Sequence, residues 1–239
     1  MERIRRKYKL LAAAITLLIL FTVVLIMISA LRLENVEIKN STYYSDKKLE
    51  SLYSIKPGYG NTVLTWLRLK YGSRPNVPFI DDLDIELSGF HTLKIKVYEK
   101  NIIGCIPYMG EYVCFDKDGV MVGSIAKRRD DIPVVEGIDY SSMVYNSKVD
   151  TDQNDIFRIV LNITQLVDKY DIKVQTISFD SGMNVVLTCG SIFVELGNGS
   201  HFDTQISNLP DILKKANGMK GTLHMENFAS SGGRVVFEK

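Results

Sequence analysis

The hydrophobic pattern of the chain begins with an uninterrupted apolar run near the N-terminus. Residues 10–31 carry no charge over 22 positions, and as a helix rising about 1.5 Å per residue they would reach about 33 Å, enough for a bilayer core. Five basic residues and one acidic residue precede the run, a bias typical of the cytoplasmic side. The pattern predicts a cytoplasmic tail over 1–9, a transmembrane helix over 10–31, and 208 residues beyond it on the extracytoplasmic side.

A cleavable signal peptide is the alternative interpretation of this run. Its apolar region would be only about 7–15 residues long, and cleavage after Ala30 would need a small residue where bulky Ile28 stands. We therefore expect an uncleaved anchor and a single-pass protein of the cell membrane with its N-terminus in the cytoplasm.

Residues 32–99 alternate strand patterns with two short helical ones. Val36 and Ile38 alternate with charged neighbours as a first strand, and Ser45 and Asn61 are typical N-caps of the two helices. Strands follow at residues 80–87 and 92–100. The predicted order is β-α-α-β-β, and the second helix is expected to turn four side chains inward: Val63, Leu64, Leu67 and Tyr71.

Residues 100–239 are richer in strand patterns and contain two longer amphipathic helices. The first helix is predicted over 153–170 with Asp152 as its cap, and the second runs from about Phe202 to Ala216 with a kink or restart at Pro210. Strands are predicted at residues 102–108, 111–116, 120–124, 133–135, 174–179, 184–189, 192–196, 221–226 and 234–238. The fold class is therefore a single transmembrane helix followed by an exported α+β region.

Two of the three cysteines fall on a predicted hairpin. A two-residue loop at Met109 and Gly110 places Cys105 directly opposite Cys114, in the type of pair whose Cβ atoms lie closest. A cross-strand disulfide is sterically possible there, and whether it forms depends on the redox environment. We expect Cys189 to be buried and unpaired.

Four sequence stretches form a recognisable series: LENVEI at residues 33–38, TLKIKVYE at 92–99, FDKDGV at 115–120 and FVELG at 193–197. In this order and spacing they resemble the FtsQ/DivIB family of bacterial cell-division proteins. The resemblance covers essentially the whole chain. It implies a POTRA domain over 32–99 and a β domain over 100–239, and a non-catalytic scaffold of the division machinery, located at the septum, that bridges FtsL-like and FtsB/DivIC-like membrane proteins.

The resemblance also implies a binding site at the last predicted strand, because in the family a partner adds a strand to that edge. In this sequence the strand is RVVFE at residues 234–238. Alternation places Val235 and Phe237 on one face, and no residue after Lys239 covers the edge. The candidate partner-binding residues are Phe228, Arg234, Val235, Val236, Phe237 and Glu238.

Composition and motifs weigh against other functions. Removing residues 1–9 leaves a net charge of −3, which argues against nucleic acid as a partner. Ser45 and Ser124 each begin a Ser-x-x-Lys pattern, but the further elements of penicillin-interacting enzymes are missing. Asp150 begins a partial calcium loop that lacks its glycine and its glutamate, and His91, His201 and His224 are scattered.

We therefore expect no catalytic site, metal, cofactor or small-molecule substrate, and a lipid bilayer plus the division proteins as partners. The alternative function is a membrane-anchored extracytoplasmic enzyme or secretion component of unrecognised type.

Overall fold

The computed structural model describes residues 2–153, 155–199 and 201–239, with the backbone alone for residues 2–10 and 27–29. Among these residues it shows five helices and two sheets. The chain divides into two compact units, Met1–Glu99 and Lys100–Lys239. The division falls where the sequence changes from the β-α-α-β-β pattern to the strand-rich pattern.

The first helix, α1 (Glu2–Ala30), occupies the apolar run. Its described side chains are those of residues 11–26 and Ala30. In the part of the chain that the structure describes, no helix combines the length and apolar character needed to cross a membrane.

The predicted transmembrane helix over 10–31 is therefore wrong, and the fold class that began with it is corrected to α+β. The predicted localisation depended on the same helix and is corrected with it. That prediction was a single-pass arrangement in the cell membrane, with an N-terminal cytoplasmic tail and an exported domain at the septum. The side chains of the basic residues in 1–9 lie outside the described residues.

The rest of the first unit is a three-stranded sheet with two helices. The elements are β1 (Asn35–Lys39), α2 (Asp46–Leu52), α3 (Thr62–Tyr71), β2 (Ile80–Leu87) and β3 (Thr92–Glu99). The central strand β3 pairs in parallel with β1 and antiparallel with β2. Leu93, Ile95 and Val97 alternate with more exposed residues along β3 and are nearly inaccessible, which is the period-two pattern of a strand with one buried face.

Helix α3 buries a different face from the one predicted. Leu64, Leu67 and Tyr71 are exposed, whereas Thr62 and Leu69 are buried. The indole N–H of Trp66 on the same helix donates to the carbonyl of Ile85 at 3.1 Å. The helix is short and apolar on several sides, so its sequence does not define which side faces the sheet.

The second unit is built on a nine-stranded sheet with two helices. The elements are β4 (Ile102–Tyr108), β5 (Glu111–Asp116), β6 (Met121–Ile125), β7 (Val134–Glu136), α4 (Ile156–Lys169), β8 (Thr176–Phe179), β9 (Asn184–Cys189), β10 (Ile192–Asn198), α5 (Asp203–Lys215), β11 (Gly221–His224) and β12 (Val236–Glu238). The strand order is β12-β11-β10-β9-β8-β7-β4-β5-β6, so β12 and β6 are the two edges.

Helix α4 connects the parallel neighbours β7 and β8, helix α5 connects the parallel neighbours β10 and β11, and the apolar stripes of both helices close the core of this unit. Ile163 on α4 and Ile206 on α5 are both fully inaccessible. Parallel neighbours need such a crossover connection, and here the sequence supplies it as an amphipathic helix.

The predicted start of one helix is corrected, and the other helix does not restart at Pro210. Helix α4 begins at Ile156 with Asp155, not Asp152, as its N-cap, and Asn154, part of the partial calcium loop, lies outside the described residues. Helix α5 continues through Pro210 as one element. A proline cannot donate the backbone hydrogen bond of its turn, and here the helix continues without it.

Candidate functional site

The edge strand β12 is the first candidate site. It pairs antiparallel with β11 along Val236, Phe237 and Glu238, and within the described residues β11 is its neighbour in the sheet. The other side of β12 is therefore a sheet edge, which exposes backbone donors and acceptors to any extended chain that approaches.

The direction of the backbone groups in β11 follows from its hydrogen bonds to the β10 side. The N–H of Gly221 donates to the carbonyl of Ser191 at 3.3 Å, and the N–H of Met225 donates to the carbonyl of Glu195 at 2.9 Å. Alternate residues of a strand direct their backbone groups to opposite sides. Between Gly221 and Met225, the groups of Thr222 and His224 therefore face β12.

The direction of the β11 backbone groups determines which N–H and C=O groups of β12 point away from β11. Thr222 lies opposite Glu238 and His224 lies opposite Val236, so Val236 and Glu238 direct their N–H and C=O towards β11. Phe237 lies between them, and its N–H and C=O point to the open side of the sheet. The free edge thus presents at least one complete donor and acceptor pair.

The two faces of β12 differ in chemistry. Val235 and Phe237 pack against the core of the second unit, while Val236 is 64% exposed on the opposite face. Arg234 and Glu238 are also exposed. Phe228, predicted as a partner contact, is 7% exposed and belongs to the core, and it also lines the groove beside this strand.

A shallow groove lies between α5 and β12. Its volume is about 430 Å³, and Ile212, Met219, Val235 and Phe237 are among the side chains that line it. The groove gives the edge an apolar surface beside the free backbone groups of Phe237.

A second candidate site lies on the solvent face of the same three strands. Glu195 on β10 and His224 on β11 are register partners, and their side chains meet with 2.8 Å between Oε2 and Nδ1. Glu226 approaches the same Nδ1 to 3.3 Å, and Glu238 on β12 lies 3.4 Å from Nε2. One imidazole thus contacts three carboxylates, and we call these four residues the Glu-His cluster.

Electrostatics in the Glu-His cluster follow from these contacts. The hydrogen bond with Glu226 raises the pKa of His224, and the carboxylates of Glu238 and Glu195 act in the same direction. A hydrogen bond between two carboxyl groups raises the pKa of Glu195. Burial opposes ionisation of Glu226, but its backbone hydrogen bond and the contacts with Glu195 and His224 outweigh burial and lower its pKa.

A β-bulge brings the acidic members of this cluster together. The pairing of β10 with β9 shifts between Glu195 and Gly197, and bulges re-aim side chains in this way. Gly197 has a φ of +77°, and a Cβ there would come within 3.0 Å of the Glu226 Cβ. Glycine at this position therefore permits the close approach of the segments that carry Glu195 and Glu226.

Cys105 and Cys114 occupy the register that the hairpin predicts. They are directly opposite each other on β4 and β5, their Cα atoms are 4.0 Å apart, and their sulfur atoms are bonded. Both side chains are buried. Cys189 is a free thiol and is partly buried, and its burial raises its pKa to about 12.

The other residues singled out by sequence have local structural contacts. Ser45 precedes α2 as its N-cap, and the hydroxyl of Ser124 donates to Glu111 at 2.6 Å. Asp150 accepts a hydrogen bond from the hydroxyl of Ser141. His91 contacts the carbonyl of Arg32 at 2.8 Å.

Sequence reasoning missed the Glu-His cluster because its members are far apart along the chain. Histidine ligands at i and i+4 of a helix can be recognised from sequence, whereas here the residues come from neighbouring strands. The signal would have been the parallel register of β10 with β11, which pairs Glu195 with His224. That register depends on the crossover through α5 and is not visible in local spacing.

Comparisons with known proteins do not identify a relative. The chain matches no protein-family model, and no curated protein is significantly similar to it.

Proposed function

We propose that this chain is a non-catalytic scaffold protein that captures an extended segment of a partner protein along the free edge of β12. The observation that carries the proposal is the outward direction of the Phe237 N–H and C=O, which follows from the register of β12 with β11. An added strand would satisfy these groups and continue the nine-stranded sheet.

Selectivity for the partner would come from side chains around this edge. The exposed Val236 offers an apolar contact on one face, and the groove beside α5 offers a second on the other face. Arg234 and Glu238 carry opposite charges near the two ends of the strand. A partner strand with apolar residues at alternate positions and complementary charges near its ends fits this pattern.

The resemblance to the FtsQ/DivIB family supports a role in bacterial cell division. The described element order β1-α2-α3-β2-β3, followed by a strand-rich unit whose last strand is an edge, agrees with the order of domains in that family. On this basis the partners would be FtsL-like and FtsB/DivIC-like division proteins, and the strand captured at β12 would belong to one of them.

Co-purification with a proline variant tests the proposal. If the strand alternation continues one residue before β12, the N–H of Val235 also points to the free edge, so Val235→Pro removes an outward donor and leaves the β11 ladder intact. Val235→Ala is the matched control, because it shortens the same side chain and keeps the N–H. The full-length chain and both variants are used to capture the division proteins, which are identified by mass spectrometry.

We expect Val235→Pro to weaken capture of an FtsB/DivIC-like or FtsL-like protein by at least about fivefold relative to Val235→Ala, the equivalent of one hydrogen bond of about 1 kcal/mol. Undiminished capture by a folded Val235→Pro chain would contradict the site. If the proline lowers the melting temperature, Val236→Asp on the exposed face serves instead, and normal capture by that variant would equally contradict the proposal.

A further inference from the structure

The solvent face of β10, β11 and β12 points to a metal site that is independent of partner capture. We infer that Glu195, His224 and Glu226 bind a zinc ion. Each of the three residues offers one ligand atom, and these atoms all lie within 4.8 Å of one another.

The spacing of the ligand atoms suits a small four-coordinate ion. Nδ1 of His224 lies 2.8 Å from Oε2 of Glu195 and 3.3 Å from Oε1 of Glu226. Zinc ligands at about 2.0–2.2 Å in tetrahedral geometry are about 3.3–3.5 Å apart. Small rotations of two glutamate side chains therefore reach the zinc geometry, and a water molecule would complete the fourth position.

The other nitrogen of the imidazole has the partner that a zinc-bound histidine needs. Nε2 of His224 faces Oε2 of Glu238 at 3.4 Å. A metal-ligating histidine normally donates its second ring N–H to a carboxylate, which fixes the tautomer and the orientation of the ring. Glu238 on β12 therefore acts as a positioning residue, while Nδ1 is directed at the two ligand carboxylates.

The charge of the Glu-His cluster favours a cation. Within the described residues the ion pairs of Glu195, Glu226 and Glu238 are all made to His224, so three carboxylates share a single imidazole. Two carboxylates at contact distance repel each other unless a proton or a cation lies between them. A divalent ion between Glu195 and Glu226 would remove that repulsion.

The ligand set selects zinc over the abundant hard cations. Calcium takes six to eight oxygen ligands and magnesium prefers six oxygens with near-ideal octahedral geometry. Here one ligand atom is an imidazole nitrogen, which suits zinc. The bulge after Glu195 and the small Gly197 hold the carboxylate-bearing segments together before any ion arrives, so little reorganisation is required.

Bound zinc would also affect the edge strand. Glu238 is a residue of β12, and His224 lies opposite Val236 of the same strand. Orientation of His224 by zinc would strengthen its contact with Glu238 and hold β12 against β11. Zinc is therefore expected to slow exchange of the Val236 and Glu238 amide protons, which face β11.

Zinc titration of the full-length chain tests the inference. The chain is stripped with EDTA, the chelator is removed, and ZnCl₂ is added in a calorimeter and, separately, in a thermal melt. We expect one saturable zinc per chain and a higher melting temperature. His224→Gln and Glu226→Gln should each lower the zinc affinity at least tenfold, and Glu238→Gln by about tenfold.

His201→Gln is the matched control, because it removes an exposed histidine outside the Glu-His cluster, and it should bind zinc as the unmodified chain does. Each variant is first melted in EDTA, so that loss of binding is separated from loss of folding. If His224→Gln does not fold, Glu226→Gln decides the question. Unchanged zinc affinity in the folded variants, no saturable binding by the unmodified chain, or equal stabilisation by MgCl₂ would overturn the inference.

Discussion

Val236 on β12 lies opposite His224 on β11, in a register that directs the backbone groups of both residues into their shared ladder. The same register leaves the N–H and C=O of Phe237 on the open side of the sheet. The proposed capture of a partner strand would therefore depend on the odd-numbered positions of this segment, whereas the even-numbered positions hold the strand to its own sheet.

The first prediction uses this alternation. Val236→Pro removes a donor that faces β11, so it should destabilise the packing of β12, whereas Val235→Pro should leave stability nearly unchanged. Thermal melts of the two full-length variants, compared with the unmodified chain, provide the measurement. Equal melting temperatures for the two proline variants would show that the assigned direction of the backbone groups is incorrect.

The second prediction concerns the bond between Cys105 and Cys114. It closes a short loop with a sequence separation of 9, and the chain-entropy relation assigns such a loop about 2–3 kcal/mol of stability. Reduction with a phosphine should lower the free energy of unfolding by about that amount. Cys189→Ala should respond to reduction like the unmodified chain, and a chain with both Cys105→Ala and Cys114→Ala should not respond.

The third prediction concerns the reactivity of Cys189. Because burial raises its pKa from 9.0 to about 12, the reactive thiolate at pH 8 is reduced about a thousandfold relative to an ordinary thiol. Iodoacetamide should modify Cys189 very slowly in the folded chain. In denaturant without reductant one thiol per chain should react quickly, and three fast thiols would show that Cys105 and Cys114 are not bonded.

The fourth prediction compares two helix caps in the first unit. The side chain of Asn61 accepts a hydrogen bond from the N–H of Leu64 at 3.0 Å, whereas Ser45 caps α2 without a side-chain hydrogen bond. Asn61→Ala should lower the free energy of unfolding by about 1 kcal/mol. Ser45→Ala should change the free energy of unfolding by only a few tenths of a kcal/mol, roughly the scatter of surface substitutions. Denaturant titrations followed by circular dichroism measure both.

Much of the fold follows from local sequence. The strands β2 and β9 have the predicted bounds, and Asn61 caps α3 as predicted. These features depend on alternation and on a single side-chain hydrogen bond, which are encoded within a few residues.

Features that depend on tertiary packing were not predicted correctly. The buried face of α3 is set by the sheet beneath it, which is why Leu64 and Leu67 are exposed despite their apolar side chains. An apolar run alone also did not establish a membrane-spanning helix.

The two candidate sites also differ in how much of each can be predicted from local sequence. The edge position of β12 was predicted, but the burial of Phe228 was not, because its packing depends on core residues from distant segments of the chain. The Glu-His cluster requires the register of β10 with β11 and a bulge at Gly197. Neither has a signature at fixed spacing, so only the folded arrangement shows that Glu195 and Glu226 meet at His224.

The most direct test of the proposed strand capture is hydrogen–deuterium exchange at the Phe237 amide in the full-length chain, resolved by NMR with and without the proposed division-protein partner. The Phe237 N–H faces the open edge, so it should exchange rapidly in the free chain and slow markedly in the complex, while Val236 and Glu238, already bonded to β11, should change little. Rapid exchange at Phe237 in a saturated complex would contradict the account.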